Sequence, residues 1–284
     1  FKQKTAYEIR LSLVGSEMCI RDSPMSAFDE YRRSVSKARE WFDTNHASVL
    51  ESTNLIQRGY RELARCIQVG RDADDKTHVS LLPFVMIMER QSFVALDTIA
   101  SRQAYQSWLI LRPAVESALI IGKWLDSFDN YTIWNNRHDN PKAYRQEYSG
   151  DKLQSKILPR SKDIQKSLKT INDLFVHPNP QYYMRHISQN PEPDGIVTIN
   201  LSFFDDDAFH YASILAMVHL LVCIQDSLAS ALVTKFENIE LTPDGYGLGN
   251  FEIQNREAAR LAAEDGQLSL IIDDIGLWHL ASDA

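Results

Sequence analysis

Cysteine is scarce in this chain. It has three in 284 residues, Cys19, Cys66 and Cys223, too few and too widely spaced for a disulfide framework. Cys66 and Cys223 lie inside apolar helical patterns, which fits reduced core thiols in a cytoplasmic protein. No serine or cysteine sits in a nucleophile-elbow pattern. Gly245, Gly247 and Gly249 lack the flanking strand and helix that a phosphate-binding loop needs. There is no internal repeat and no low-complexity block. A basic excess is missing as well: 30 Lys and Arg stand against 38 Asp and Glu, a formal net charge of −8. That balance argues against broad, non-specific nucleic-acid binding and leaves room only for a local basic patch.

The first 23 residues, FKQKTAYEIRLSLVGSEMCIRDS, resemble translated sequencing-library adapter in two blocks, Lys2–Ile9 and Leu13–Ser23. As a targeting peptide the stretch lacks a continuous apolar core of the required length. Setting it aside removes four basic and three acidic residues, so 26 basic and 35 acidic residues remain, a net charge of −9. The natural chain is expected to start near Met25. We expect three parts: 1–23, an adapter-derived segment; 24–236, a helical bundle domain; and 237–284, a tail or small helical appendage.

What is present is helical periodicity. The predicted fold is all-α, a multi-helix bundle around a central apolar helix at about 103–126, QAYQSWLILRPAVESALIIGKWLD. Apolar residues surround that helix, which marks either the centre of a bundle or a membrane span. Arg112 and Glu116 near its middle make a span costly, and no membrane association is expected. Pro113 predicts a kink that frees the carbonyl of Leu109, or a helix break just before it.

Amphipathic patterns predict further helices over 26–42, 47–69, 78–102, 162–176 and 205–236. Gly70 reads as a C-cap, with a polar loop from Arg71 to Lys76. Residues 130–151 read as an irregular excursion carrying one short helix, and Gln189–Gly195 as a Pro/Gly turn. One short strand or hairpin is predicted near 196–204, where β-branched residues alternate.

Candidate chemistry starts with Arg112 and Glu116, which are four residues apart and therefore one turn apart on one helix face. They form either a structural ion pair or the wall of a polar, anion-binding pocket. His177, in the Val-His-Pro-Asn-Pro corner, ends the 162–176 helix because proline turns its predecessor away from helical geometry. An imidazole at a helix C-terminus is favoured in its protonated form and suits acid/base work. Two weaker candidates are the His138-Asp139 dyad, with His78 before it and Asp163 after, and the pair His210 and His219. The dyad falls in a loop followed by Pro141, where no helix aims both ligands at one metal. The two histidines are nine apart, not the i,i+4 spacing of a metal pair, and read as core or solvent residues.

An Arg-x-x-x-Glu pattern on an apolar helix, followed by a helix ending in Val-His-Pro, resembles a bacterial helical family distantly similar to HEPN domains, over roughly residues 82–236. The resemblance implies a metal-independent ribonuclease of a defence or toxin type, with Arg112, Glu116, His177 and Asn179 as the site. Asn172 and His177 match the spacing of the HEPN motif Arg-(Asn/Asp/His)-x(4–6)-His, while Ile171 stands where its arginine belongs. Two functional expectations follow. The first is a cytoplasmic helical binding or interaction module, capable of homo-oligomerising. The second is the ribonuclease, under which alone RNA is a partner. Neither requires a cofactor or a metal.

Overall fold

The computed structural model describes residues 26–69, 77–191 and 197–236. The adapter-like segment, Gly70 with the polar loop after it, residues 192–196 of the expected Pro/Gly turn, and the expected appendage after Phe236 lie outside the described residues. Ser26 caps α1 (Ala27–Asn45), its Oγ accepting the Asp29 N–H at 3.2 Å, with Asp29 and Glu30 at the positive end of the helix. Helix α2 (Ala47–Val69) follows. A 3-10 turn (Thr77–Leu81) leads into α3 (Leu82–Ala100), where Pro83 occupies the first turn and sacrifices no intrahelical bond. Arg102, in the left-handed region at φ 61°, reverses the chain into α4.

Helix α4 (Ala104–Asp126) is the expected central helix. Sixteen of its 23 residues are buried, and α3, α7, α9 and the turn before His177 pack around it. Each fully buried Leu or Ile here contributes about 1.5–3 kcal/mol. Even Lys123 is buried, with its Nζ donating to the carbonyls of Glu147 (2.5 Å) and Lys152 (2.7 Å) and reaching the Glu147 carboxylate at 3.1 Å. Pro113 does not break α4, which runs through it as one helix. The Ser117 hydroxyl donates to the Pro113 carbonyl at 2.7 Å.

The stretch expected to be irregular is more ordered than that. It folds as α5 (Asp129–Asn135), α6 (Pro141–Tyr148) and a 3-10 turn (Gly150–Leu153). Aromatic packing explains why: Trp124 of α4 meets Phe84, Tyr131 and Trp134 edge-on, and its indole N–H donates to the Tyr148 hydroxyl at 2.8 Å. Asn140 caps α6 by accepting the Ala143 N–H. The Asp126 carboxylate then collects the N–H groups of Lys156 and Ile157, at 2.9 Å each, which holds the approach to α7 (Ser161–Ile171) against the end of α4.

After α7 come a π-helical turn (Asn172–Val176), the short α8 (Pro180–Met184) and an antiparallel hairpin of β1 (Ile187–Pro191) and β2 (Val197–Leu201). The predicted strand is therefore half of a hairpin. Its partner begins earlier than the expected Pro/Gly turn, so Gln189 to Pro191 belong to a strand. Helix α9 (Asp207–Lys235) closes the described chain. Two described segments are long and apolar enough to cross a membrane by length and composition: Val79–Ala100 and Phe209–Lys235. The second has a mean hydropathy of 1.7 with 89% of its window buried, so in this fold its apolarity fills the core between α2 and α4.

Candidate functional site

Arg112 and Glu116 lie on a half-exposed edge of α4, with 36% and 31% of their side chains accessible. They form an ion pair at 3.1 Å. A pair this exposed contributes little to stability, and its use lies in fixing the guanidinium. The same guanidinium donates from Nε to Asn172 Oδ1 at 2.6 Å, a bond between α4 and the first residue of the π turn. Glu116 has a second neighbour in Tyr144 of α6. Burial raises that phenol above its ordinary range, and the charge of Glu116 raises it further. The local constellation is thus Arg112, Glu116, Asn172 and Tyr144, contributed by three separate elements.

The π turn sets the rest. Wider than an α-helical turn, it lets Phe175 swing into the core against Trp108, Tyr105 and Tyr182 while Asn172 keeps its place beside Arg112. His177 leaves helical geometry at φ −94° and ψ 147°, as the following Pro178 requires. Its carbonyl accepts the Tyr105 hydroxyl at 3.2 Å, and its imidazole is exposed. Asn179 Nδ2 donates to the carbonyl of Leu174 at 3.3 Å and so closes the end of the turn.

The turn therefore runs antiparallel to α4, Asn172 at Arg112 and His177 at Tyr105. Tyr105 and Arg112 are seven residues apart, about 10 Å along the axis at 1.5 Å per residue. The fold joins Arg112 to Glu116 directly; His177 is tied through its carbonyl to Tyr105, and Asn179 to the Leu174 carbonyl at the end of the turn. Ile171, which occupies the arginine position of the HEPN spacing, is fully buried, and Arg112 reaches the adjacent Asn172 from the neighbouring helix. Asn172 was visible in sequence only through its spacing to His177. Tyr144 carried no signal, because its approach depends on how α6 packs.

A second polar cluster was not foreseen. Three aspartates, Asp205 to Asp207, stand where α9 begins, and all suit its N-terminus by sequence; Asp206 is the cap, accepting the Phe209 N–H at 2.8 Å. Asp205 serves another helix. It is buried, accepts the Ala104 N–H at 2.7 Å, and so caps α4 from about a hundred residues away. The Tyr182 hydroxyl donates to its other oxygen, and His186 Nε2 lies 3.5 Å from that same oxygen. Burial pushes the Asp205 carboxyl up and the Tyr182 phenol far up. The ring of connections closes through the Tyr105 N–H, which donates to the Tyr182 oxygen at 3.3 Å.

The weaker candidates separate. His138 and Asp139 are exposed, and among the described residues no three His, Cys, Asp or Glu side chains converge as a metal-binding group. His210 is fully buried, hydrogen-bonded to the Ile99 carbonyl at 2.7 Å, and burial lowers its pKa to about 4. His219 is buried too. No protein-family model matches this chain, and neither does any curated protein or solved structure.

Proposed function

We propose that the protein is a cytoplasmic helical interaction module that presents its β-hairpin to a partner. The observation that carries this reading is an exposed apolar face. Val197, Ile199 and Leu201 alternate on one side of β2, and Phe203 continues the row; Ile199, Leu201 and Phe203 are 59%, 71% and 77% accessible. Ile187 of β1 lies opposite Leu201 on the same side. The other side carries Ser188 and Asn200, themselves paired. A two-stranded hairpin with one apolar face is marginal in water by itself, and such a face on a folded protein marks a contact surface. The free, buried thiols Cys66 and Cys223 support a reducing compartment.

The test is dye binding and mass determination on the full chain. At high dilution, below any self-association, an environment-sensitive dye should report an apolar surface, and Ile199→Glu should weaken that signal while leaving helical circular dichroism unchanged. Equal dye binding by the variant would end the reading.

A second reading, the HEPN-like, metal-independent ribonuclease, is supported by one contact: Arg112 meets Asn172, five residues before His177. In that reading Arg112 stabilises phosphate charge, His177 exchanges protons, Glu116 orients Arg112, and Asn179 holds the corner. Its test is cleavage of single-stranded RNA in the presence of a chelator. His177→Ala should abolish cleavage with the fold intact; cleavage that survives both His177→Ala and Arg112→Ala excludes the site.

A further inference from the structure

The apolar face does not end at the hairpin. Phe203 meets Tyr31 of α1 edge-on at 6.3 Å between ring centroids, and Tyr31 stacks on Phe28 at 6.3 Å. Phe28 is itself 66% accessible. One continuous band thus runs from the start of α1 along β2. Counting an aromatic ring at about 150–250 Å² when fully covered, the band exposes on the order of 500 Å². That lies within the roughly 300–600 Å² of the largest patch on an ordinary monomer and below the roughly 800 Å² per partner of a standard interface, so a dimer formed through it is a weak one.

The two strands of the band carry no charge, and the stretch that joins them contributes Glu192 and Asp194 in sequence. From Ile187 to Pro191 and from Val197 to Phe204 the described chain contains no Asp, Glu, Lys or Arg. Edge hairpins are ordinarily guarded by such residues. A face bearing net charge is repelled by its own copy, whereas an uncharged apolar face is complementary to itself, as a two-fold interface requires.

Resting on the interaction-module reading, we infer that the partner is a second copy of this chain. The two hairpins lie face to face across a two-fold axis, Ile199 of each near Ile199 of the other, with Phe28 and Phe203 covering the ends. Stacked sheet faces of this kind pack about 10 Å apart, side chains interdigitating. The charged residues of α1 around Phe28, Asp29, Glu30 and Arg32, form the polar rim.

The experiment is a charge swap on the full chain, read by analytical ultracentrifugation. Wild type should be a dimer at micromolar concentration. Ile199→Glu and Ile199→Lys should each be monomeric with unchanged helical circular dichroism, and should lose any concentration dependence of the melting temperature that the dimer confers. Mixed in equal amounts, the two variants should re-form a dimer at least tenfold tighter than either variant alone. Dimers that persist in both single variants, or a mixture that stays monomeric, overturn the inference. A wild-type monomer whose dye binding is weakened in Ile199→Glu overturns the second copy alone and leaves the face open for another protein. A wild-type monomer that binds no dye overturns both.

Discussion

Arg112 Nε and Asn172 Oδ1 meet at 2.6 Å across sixty positions of chain, a polar bond between the central helix and the first residue of the π turn. Because the guanidinium is a third exposed, the bond is worth about 1 kcal/mol, less than a buried charged one. A double-mutant cycle of Arg112→Ala and Asn172→Ala, measured by urea denaturation, should return a coupling of that size. Glu116→Gln should cost about 0.5 kcal/mol or less. Additive single-mutant effects would show that the bond does not hold the turn to α4.

Asp205 should matter far more. Replacing it by alanine leaves the Ala104 N–H and the Tyr182 hydroxyl buried without their acceptor. We expect a loss of about 3 kcal/mol, set by two unsatisfied groups. The pH dependence has a definite sign. Burial raises the folded carboxyl above its unfolded value, so this group's contribution falls as pH rises from the unfolded pKa to the folded one, then levels. The stability difference between wild type and Asp205→Asn should therefore shrink with rising pH across that window.

His210 works in the opposite direction. Its folded pKa, lowered to about 4, lies below the ordinary 6.5, so the unfolded chain takes up the proton first. Its contribution is complete above pH 6.5 and is lost as pH falls toward 4, at most about 3 kcal/mol. His210→Gln should flatten this part of the profile in denaturation series between pH 7 and pH 4.5. An unchanged profile would place the acid sensitivity elsewhere.

Gly122 marks a close approach of another segment to α4. A Cβ there would stand 2.9 Å from both Cβ and Cδ2 of Leu158, and the Ser155 hydroxyl donates to the Gly122 carbonyl at 3.0 Å. Although alanine is the better helix former, Gly122→Ala should destabilise by about 1–3 kcal/mol through overpacking. Thermal unfolding measures it, and a gain in stability would show that the 155–158 segment yields.

Much of the architecture was legible because helical periodicity needs no tertiary context. The central helix, expected over 103–126, runs from Ala104 to Asp126, and the last helix from Asp207 to Lys235. The misses have a common origin in long-range contacts. Only one short helix was expected where α5 and α6 stand, because the stretch is polar in sequence and is ordered by packing under Trp124. Strand β1 was hidden because its Ser, Gln, Asn and Pro residues carry turn chemistry, and only pairing with β2 makes them extended. The π turn arises where Phe175 must reach the core, and no local pattern encodes that demand. The capping role of Asp205 was masked by its place beside Asp206, the true cap of the following helix.

The antiparallel course of the π turn along α4 acts as a splint. Arg112 is pinned by Asn172 and Glu116 at one end, and the His177 carbonyl is held by the Tyr105 hydroxyl, from a residue seven positions back along α4, at the other. The turn can slide along the central helix only if both ties break together, so the corner at His177 and the edge at Arg112 move as one body.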